Sequence, residues 1–372
     1  MLRQHPSATV TGLLSLSLSS ALSLTACDPG DGEQTSTEPA GESASDGVES
    51  DGVDPEPQQF EACEMEFTIT EPSPNYPWTP NAVQLVSEQL HPGVFAVYDA
   101  NADAFAPEGI PLATSAGFVI GDQGVVLIET MINRQLLCQL VGLVREQTDA
   151  PILYAINTSY HGDHSYGNAF LPPEIEVVQH ERTADYIAQN FEDDIVFMTT
   201  NFGADQGLDE ITPVVPDIAV DDGGWSVDLG GLTVEANYFG FGQTEGDLFV
   251  YVPQAQVMWT GNPLIAEAPA IPWLLDGQPQ QIEQTLADVQ ASLPPGAIVV
   301  PGHGRPVAPA DFDFSIDYLD ALVDGVAAAH EAGLSEEETV AAVTLEPFQG
   351  YALWGWVHAV LNVPVTYAEL AP

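Results

Sequence analysis

The stretch Asn157-Thr158-Ser159-Tyr160-His161-Gly162-Asp163-His164-Ser165-Tyr166-Gly167-Asn168 sets two imidazoles and a carboxylate within four residues. It follows the apolar run 152–156 directly, so the three donors leave the mouth of a buried strand on one tight turn. Imidazole nitrogen and carboxylate oxygen suit Zn²⁺, which makes His161, Asp163 and His164 a metal tripod. His303 stands far downstream in Val300-Pro301-Gly302-His303-Gly304, again at a strand end, between glycines that permit close backbone approach. A lone histidine is commonly a hydrogen-bonded core residue. Four metal-type donors from two strand ends, in a chain with 8 histidines, argue for a site.

The elements that must position these donors alternate between strand and helix. Short β-rich runs at 94–98, 116–120 and 125–128 come first, the last two separated by the turn Gly121-Asp122-Gln123-Gly124. An amphipathic pattern over 133–147 predicts a helix and 152–156 the next buried strand. Further strands are expected at 176–178, 225–228, 232–238, 248–252, 257–259 and 298–300, and helices at 183–190, 280–292 and 314–332. Ser335 with Glu338 three residues on forms a capping box for another helix. The stretch from 191 to about 216 resists assignment and reads as a lid or a long excursion.

These motifs resemble the metallo-β-lactamase superfamily over 94–304. The resemblance is carried by Gly117-Phe118-Val119-Ile120 through Val125-Val126-Leu127-Ile128-Glu129-Thr130, by the His161 to Asn168 run, and by Gln243-Thr244-Glu245-Gly246-Asp247-Leu248. Thr260-Gly261-Asn262 and Pro301-Gly302-His303-Gly304 complete it. It implies an α/β fold, a four-layer αββα sandwich with a metal site along one edge of two packed sheets. Such folds host hydrolysis of several ester and amide types, so the fold alone does not choose a substrate.

In family terms the first strand motif runs His-x-His-x-Asp-His, and this chain has Ser159 at its first histidine while His161, Asp163 and His164 match. Gln243 stands at a further histidine position and Asn262 at the aspartate that bridges two metals. The resemblance therefore leaves the first metal position with His161 alone and the second with Asp163, His164 and His303. A neutral Asn262 amide does not offset two dications, and Gln243 is a weak donor. Three protein ligands are the number a catalytic zinc uses when a fourth position stays open for water, whose pKa it lowers to about 7. One zinc per chain is expected, with His161, beside Asp163, free to act as a general base or to orient the water. The rival reading is a degenerate site in a binding or scaffolding module. Glu129 is expected to support the metal loop from behind. His180, His330, Trp354, Trp356 and His358 read as structural, and Arg305 as the partner of local acids.

Composition narrows the partners. Five basic residues, all arginine, face 55 acidic ones, a formal net charge of -50. That field repels phosphate backbones and excludes nucleic-acid binding, leaving a small-molecule substrate as the expected partner. It also opposes docking on anionic lipid through a basic patch, so membrane attachment needs another anchor. Residues 1–26 read as a secretory leader, with Arg3 before an apolar and serine-rich run. The run ends in Leu24-Thr25-Ala26-Cys27, which resembles the lipobox of bacterial lipoproteins and implies a lipidated Cys27 on a bacterial membrane, facing the periplasm or the exterior. Residues 27–59, acidic among Gly, Ser, Thr and Pro, read as a disordered tether to a domain at 60–372. Cys63 and Cys138 fit either a disulfide, favoured by an oxidising compartment, or two buried thiols. Cys27→Ser is expected to move the protein from the membrane fraction to the soluble exported fraction; an unmodified mature N-terminus elsewhere in the wild type would refute the anchor.

Overall fold

A computed structural model of the chain describes residues 58–76 and 78–371. The expected leader, Cys27 and the tether up to residue 57 lie outside the described residues. Gln58, assigned to the tether by composition, is docked: its side-chain amide donates to the Ile152 carbonyl at 3.1 Å and accepts from the Ile152 amide at 2.8 Å. Cys63 and Cys138 form a disulfide that ties the start of the domain to the helix Arg134–Arg145.

Two sheets make the centre. The first holds β1 (Leu85–His91), β2 (Val94–Asp99), β3 (Ala116–Ile120), β4 (Val125–Ile128), β5 (Ile152–Ile156), β6 (Glu176–His180) and β7 (Ile218–Val220), in sequence order. It is antiparallel from β1 to β4 and parallel from β4 to β7. The second holds β8 (Trp225–Asp228), β9 (Thr233–Asn237), β10 (Phe249–Val252), β11 (Val257–Gly261) and β12 (Ile298–Pro301), with β11 and β12 parallel at one end.

Side-chain alternation explains why these strands read as unbroken apolar runs. In β4, Val125 and Leu127 pack outward with Leu136, Leu137 and Leu140 of the helix Arg134–Arg145, while Val126 and Ile128 point inward to Val234, Val250 and Trp259 of the second sheet. In the second sheet, Val250, Val257 and Val300 face the first, and Phe249, Met258 and Val299 pack under the helices Pro279–Ser292 and Phe312–Glu331. A strand covered on both faces has no polar side to alternate with. Three core layers between helix, sheet, sheet and helix make the α/β four-layer αββα sandwich.

Several elements depart from the sequence expectation. The helix foreseen at 183–190 runs over Glu181–Phe202, so the first part of the expected excursion is helical. Only Thr183, Ile187 and Met198 of it are buried, while Val196 and Phe197 are exposed, which blurs the amphipathic period that sequence reading needs. β1 lies at a sheet edge with only Leu85 buried, and β7 has three residues, so neither carries a clear alternation. Among the described residues no helix is long and apolar enough to cross a membrane.

Gly117 in β3 shows how tightly the sheets close. A Cβ there would come 2.4 Å from the ring of Trp259, a fully buried indole whose Nε1 donates to the Ala116 carbonyl at 3.1 Å. Overpacking a rigid ring costs about 1–3 kcal/mol. Gly117→Ala is expected to lower the urea midpoint accordingly with an unchanged m value; a loss below about 0.5 kcal/mol would show that the indole is free to move.

Candidate metal centre

The donors stand where the C-terminal ends of parallel strands from both sheets meet. The turn after β4 carries Glu129 and Met131 at φ 65° and 71°, and the turn after β5 carries residues 157–168. Buried polar side chains lock these turns together. Asn157 donates to the His164 carbonyl at 3.0 Å, Asn168 donates to Asn157 Oδ1 at 2.6 Å, and Thr130 donates to Asn168 Oδ1 at 2.9 Å. Gly167 fits where it does because a Cβ would come 1.8 Å from the Thr130 carbonyl oxygen. A single helical turn, Gly162–Ser165, then presents Asp163 and His164. His303 arrives from β12, and its backbone bridges to Thr114 just before β3, stitching the two sheets at the site.

Asp163, His164 and His303 converge, with ligand atoms all within 4.8 Å of one another. His164 Nε2 and His303 Nε2 each lie 3.6 Å from Asp163 Oδ2. Donors bonded to one zinc at about 2.0–2.2 Å in tetrahedral directions sit about 3.4 Å apart, so the triad fits such an ion with small adjustments. The rings are oriented from behind: His164 Nδ1 faces Glu129 Oε1 at 2.9 Å, and His303 Nδ1 faces the Leu112 carbonyl at 2.8 Å. Acceptors on both Nδ1 atoms leave both Nε2 atoms for the shared point, the usual outer support of metal-bound histidines. Glu129 is itself held by Thr158, whose hydroxyl and amide both donate to it.

Charge in this buried cluster is mutually adjusted. Burial works against the Asp163 carboxylate, but His164, His303 and His161 and a 2.6 Å hydrogen bond from Thr114 hold its pKa below the usual range. Burial opposes the His164 cation as well, yet Asp163 and Glu129 push its pKa up to about 9. His161 has burial as its dominant influence and falls to about 4, so it is neutral at neutral pH.

The remaining site positions behave differently. Ser159 Oγ accepts from the His161 amide at 3.4 Å, and Gln243 Nε2 donates to the Trp273 carbonyl at 3.2 Å. His161 Nε2 and Gln243 Oε1 are shielded from solvent and have no partner. Asn262 Oδ1 lies 3.0 Å from His164 Nε2. Among the described residues, Asp163, His164 and His303 make up the one metal-type cluster, and His161 stands outside it. Thr114 and the Leu112 carbonyl, which sequence reading missed, belong to a loop without a motif; a backbone acceptor leaves no trace in side-chain type. Elsewhere His180 accepts from the Arg182 amide, His330 meets the Tyr367 carbonyl, His358 bonds Tyr318, and Arg305 pairs with Asp103 and Glu267.

The family model for the metallo-beta-lactamase superfamily matches residues 109–303, more than half of the chain. The chain belongs to that superfamily of hydrolases. It is 27% identical over 199 residues to a metallo-beta-lactamase type 2 of Bacteroides fragilis, spanning 53% of this chain and 72% of the relative. Among solved structures, a metallo-beta-lactamase from Pontibacter korlensis aligns with a TM-score of 0.50 at 20% identity, covering 64% of this chain and 99% of that one. A stereoselective inverting sec-alkylsulfatase from a Pseudomonas species aligns with a TM-score of 0.62 at 15% identity, covering 78% of this chain and 50% of that one. At these identities the structural likenesses speak for the fold.

Glu129 offers a test that leaves the three ligands in place. Glu129→Gln keeps the shape but weakens the acceptor behind His164, and losing such support typically costs about 10–100-fold in metal affinity. That loss is expected in a zinc competition assay with a chromophoric chelator; unchanged affinity would show that His164 needs no carboxylate behind it.

Proposed function

We propose that this protein is an exported, lipid-anchored hydrolase that holds one zinc on Asp163, His164 and His303 and cleaves a small ester, thioester or amide. The observation that carries the reading is the arrangement of the two histidine rings, each with Nδ1 against a fixed acceptor and Nε2 turned to the same carboxylate oxygen. A bound zinc would supply Lewis acidity and bring a water's pKa near neutrality. The chain's own residues do the rest. Thr114 fixes Asp163, while Glu129 and the Leu112 carbonyl fix the imidazoles. His161, neutral and with an unpartnered Nε2, accepts a hydrogen bond from the attacking water and orients it. Burial lowers its pKa, which keeps the imidazole neutral and able to accept that hydrogen bond at neutral pH. Asn262 and Gln243 bring no charge to the first metal position, which favours one ion over two.

One observation supports a second reading, a non-catalytic binding module. Both nitrogens of His164 face acceptors, Glu129 on one side and Asn262 on the other, and a protonated imidazolium satisfies both without any ion. Elemental mass spectrometry on protein from zinc-supplemented expression separates the two. About one zinc per chain is expected, falling to below roughly a tenth in Asp163→Ala and His303→Ala and nearly unchanged in Ser159→Ala. A well-folded wild type without zinc would support the binding module, and two zinc ions per chain would reinstate the first metal position.

A further inference from the structure

His161 differs from the other two imidazoles of the centre in how its ring is held. His164 and His303 each place Nδ1 against a fixed acceptor. Among the described residues no hydrogen bond reaches the His161 ring, and its Nε2 is buried without a partner. Packing alone must then fix the direction of this imidazole. His164 meets it only edge-on, at 6.4 Å between ring centres, whereas the Tyr160 ring lies flat against it at 4.7 Å and 21° from parallel.

Tyr160 is anchored at both its face and its tip. Tyr186, on the helix Glu181–Phe202, stacks on it at 3.5 Å between ring centres, and the Tyr160 hydroxyl donates to Asp276 Oδ2 at 2.7 Å. The two phenols also adjoin at their hydroxyls, and Tyr186 donates to Asp194 Oδ1 at 3.3 Å. Asp276 belongs to the loop between β11 and the helix Pro279–Ser292. That loop is tied down in turn by Glu369 of the helix Val363–Glu369, which accepts the Gln278 amide at 2.8 Å. A buried phenol suits such a post, because it joins a flat face that an imidazole can rest on to a polar tip that a carboxylate can hold.

We infer that Tyr160, anchored by Asp276 and Tyr186, is the positioning residue that keeps the His161 imidazole aimed at the attacking water. The inference deepens the hydrolytic reading and rests on it. A group that orients water acts only while its nitrogen stays within hydrogen-bond reach, so a ring free to turn loses its effect before anything else in the centre changes.

The ring C–H signals of His161 in the full protein, one of 8 histidines, are assigned by their loss in His161→Asn. Protons over the face of a tyrosine ring are shifted upfield, so they report the stack with or without zinc. Tyr160→Phe and Asp276→Ala, which release the hydroxyl, are expected to move these signals downfield and broaden them, whereas Asp276→Asn, which keeps an acceptor, stays near the wild type. With 4-nitrophenyl acetate and zinc-loaded protein, the two releasing variants are expected to lose about 10–100-fold in kcat at unchanged KM and zinc content, as for a group displaced by up to about 1 Å. Unmoved His161 signals in both releasing variants overturn the positioning role. So does a loss in Asp276→Asn as large as in Asp276→Ala, which would assign the effect to the Asp276 charge. A wild type that shows the upfield signals and their release, yet binds no zinc and cleaves no ester, would instead overturn the hydrolytic reading and leave Tyr160 as the support of His161.

Discussion

One carboxylate oxygen, Asp163 Oδ2, takes a hydrogen bond from Thr114 and lies between two imidazoles, one on its own turn and one from the opposite sheet. A buried charge is tolerated only when it is paired or binds a cation. The rest of the centre follows from meeting that constraint. The two sheets must bring their strand ends together, and the turns must be rigid enough to keep the donors from separating. Much of the polar burial in the molecule serves this end: Asn157, Asn168, Thr130, Glu129 and Thr158 form the bracing behind the turn, with Gln179 donating to Asn157 at 2.8 Å. Such a network holds the turn in one arrangement, although Gln179 Oε1 itself has no partner.

Among the described residues seven buried side-chain polar atoms have no hydrogen-bond partner, and they are spread over the molecule, with Ser315 Oγ and Thr366 Oγ1 on helices of the C-terminal segment. Two of them, His161 Nε2 and Gln243 Oε1, belong to site positions, and Gln243 Nε2 donates to the Trp273 carbonyl. Buried groups left unpaired in an otherwise well-bonded fold mark places where something else completes the bonding. The segment after the matched stretch, from the helix Phe312–Glu331 onward, contributes Tyr318 and Asn362, and Asn362 grips the backbone on either side of Trp273. It therefore shapes the site as well as covering the second sheet.

Surface charge and site chemistry are separate problems in this chain. The net charge of -50 belongs to the whole chain, whereas the centre balances its carboxylates locally with imidazoles and hydrogen bonds. Arginine, present five times, is used to tie acids together at the periphery: Arg182 holds Asp222, and Arg305 holds Asp103 and Glu267.

The sequence by itself determined buried strands, because runs such as Val125-Val126-Leu127-Ile128 are apolar at every position and such strands must be covered on both faces, while the sandwich followed from the resemblance of its motifs to the metallo-β-lactamase superfamily. It also determined where chemistry could occur, since donor residues bunched between His161 and His164 and next to glycines at His303 are local features of the chain. Only the tertiary structure decided which donors meet. His161 adjoins the triad in sequence yet stands outside it, while His303, from the other sheet, joins it. It alone supplied the Leu112 carbonyl and Thr114 and the pairing of Cys63 with Cys138. It also resolved the helix Glu181–Phe202, whose half-exposed face carries too little period to read. The physical reason is the range of the interactions. Burial of a face is written in residues two or four apart, but the aim of a ring nitrogen depends on a carbonyl brought to it by the packing of two sheets.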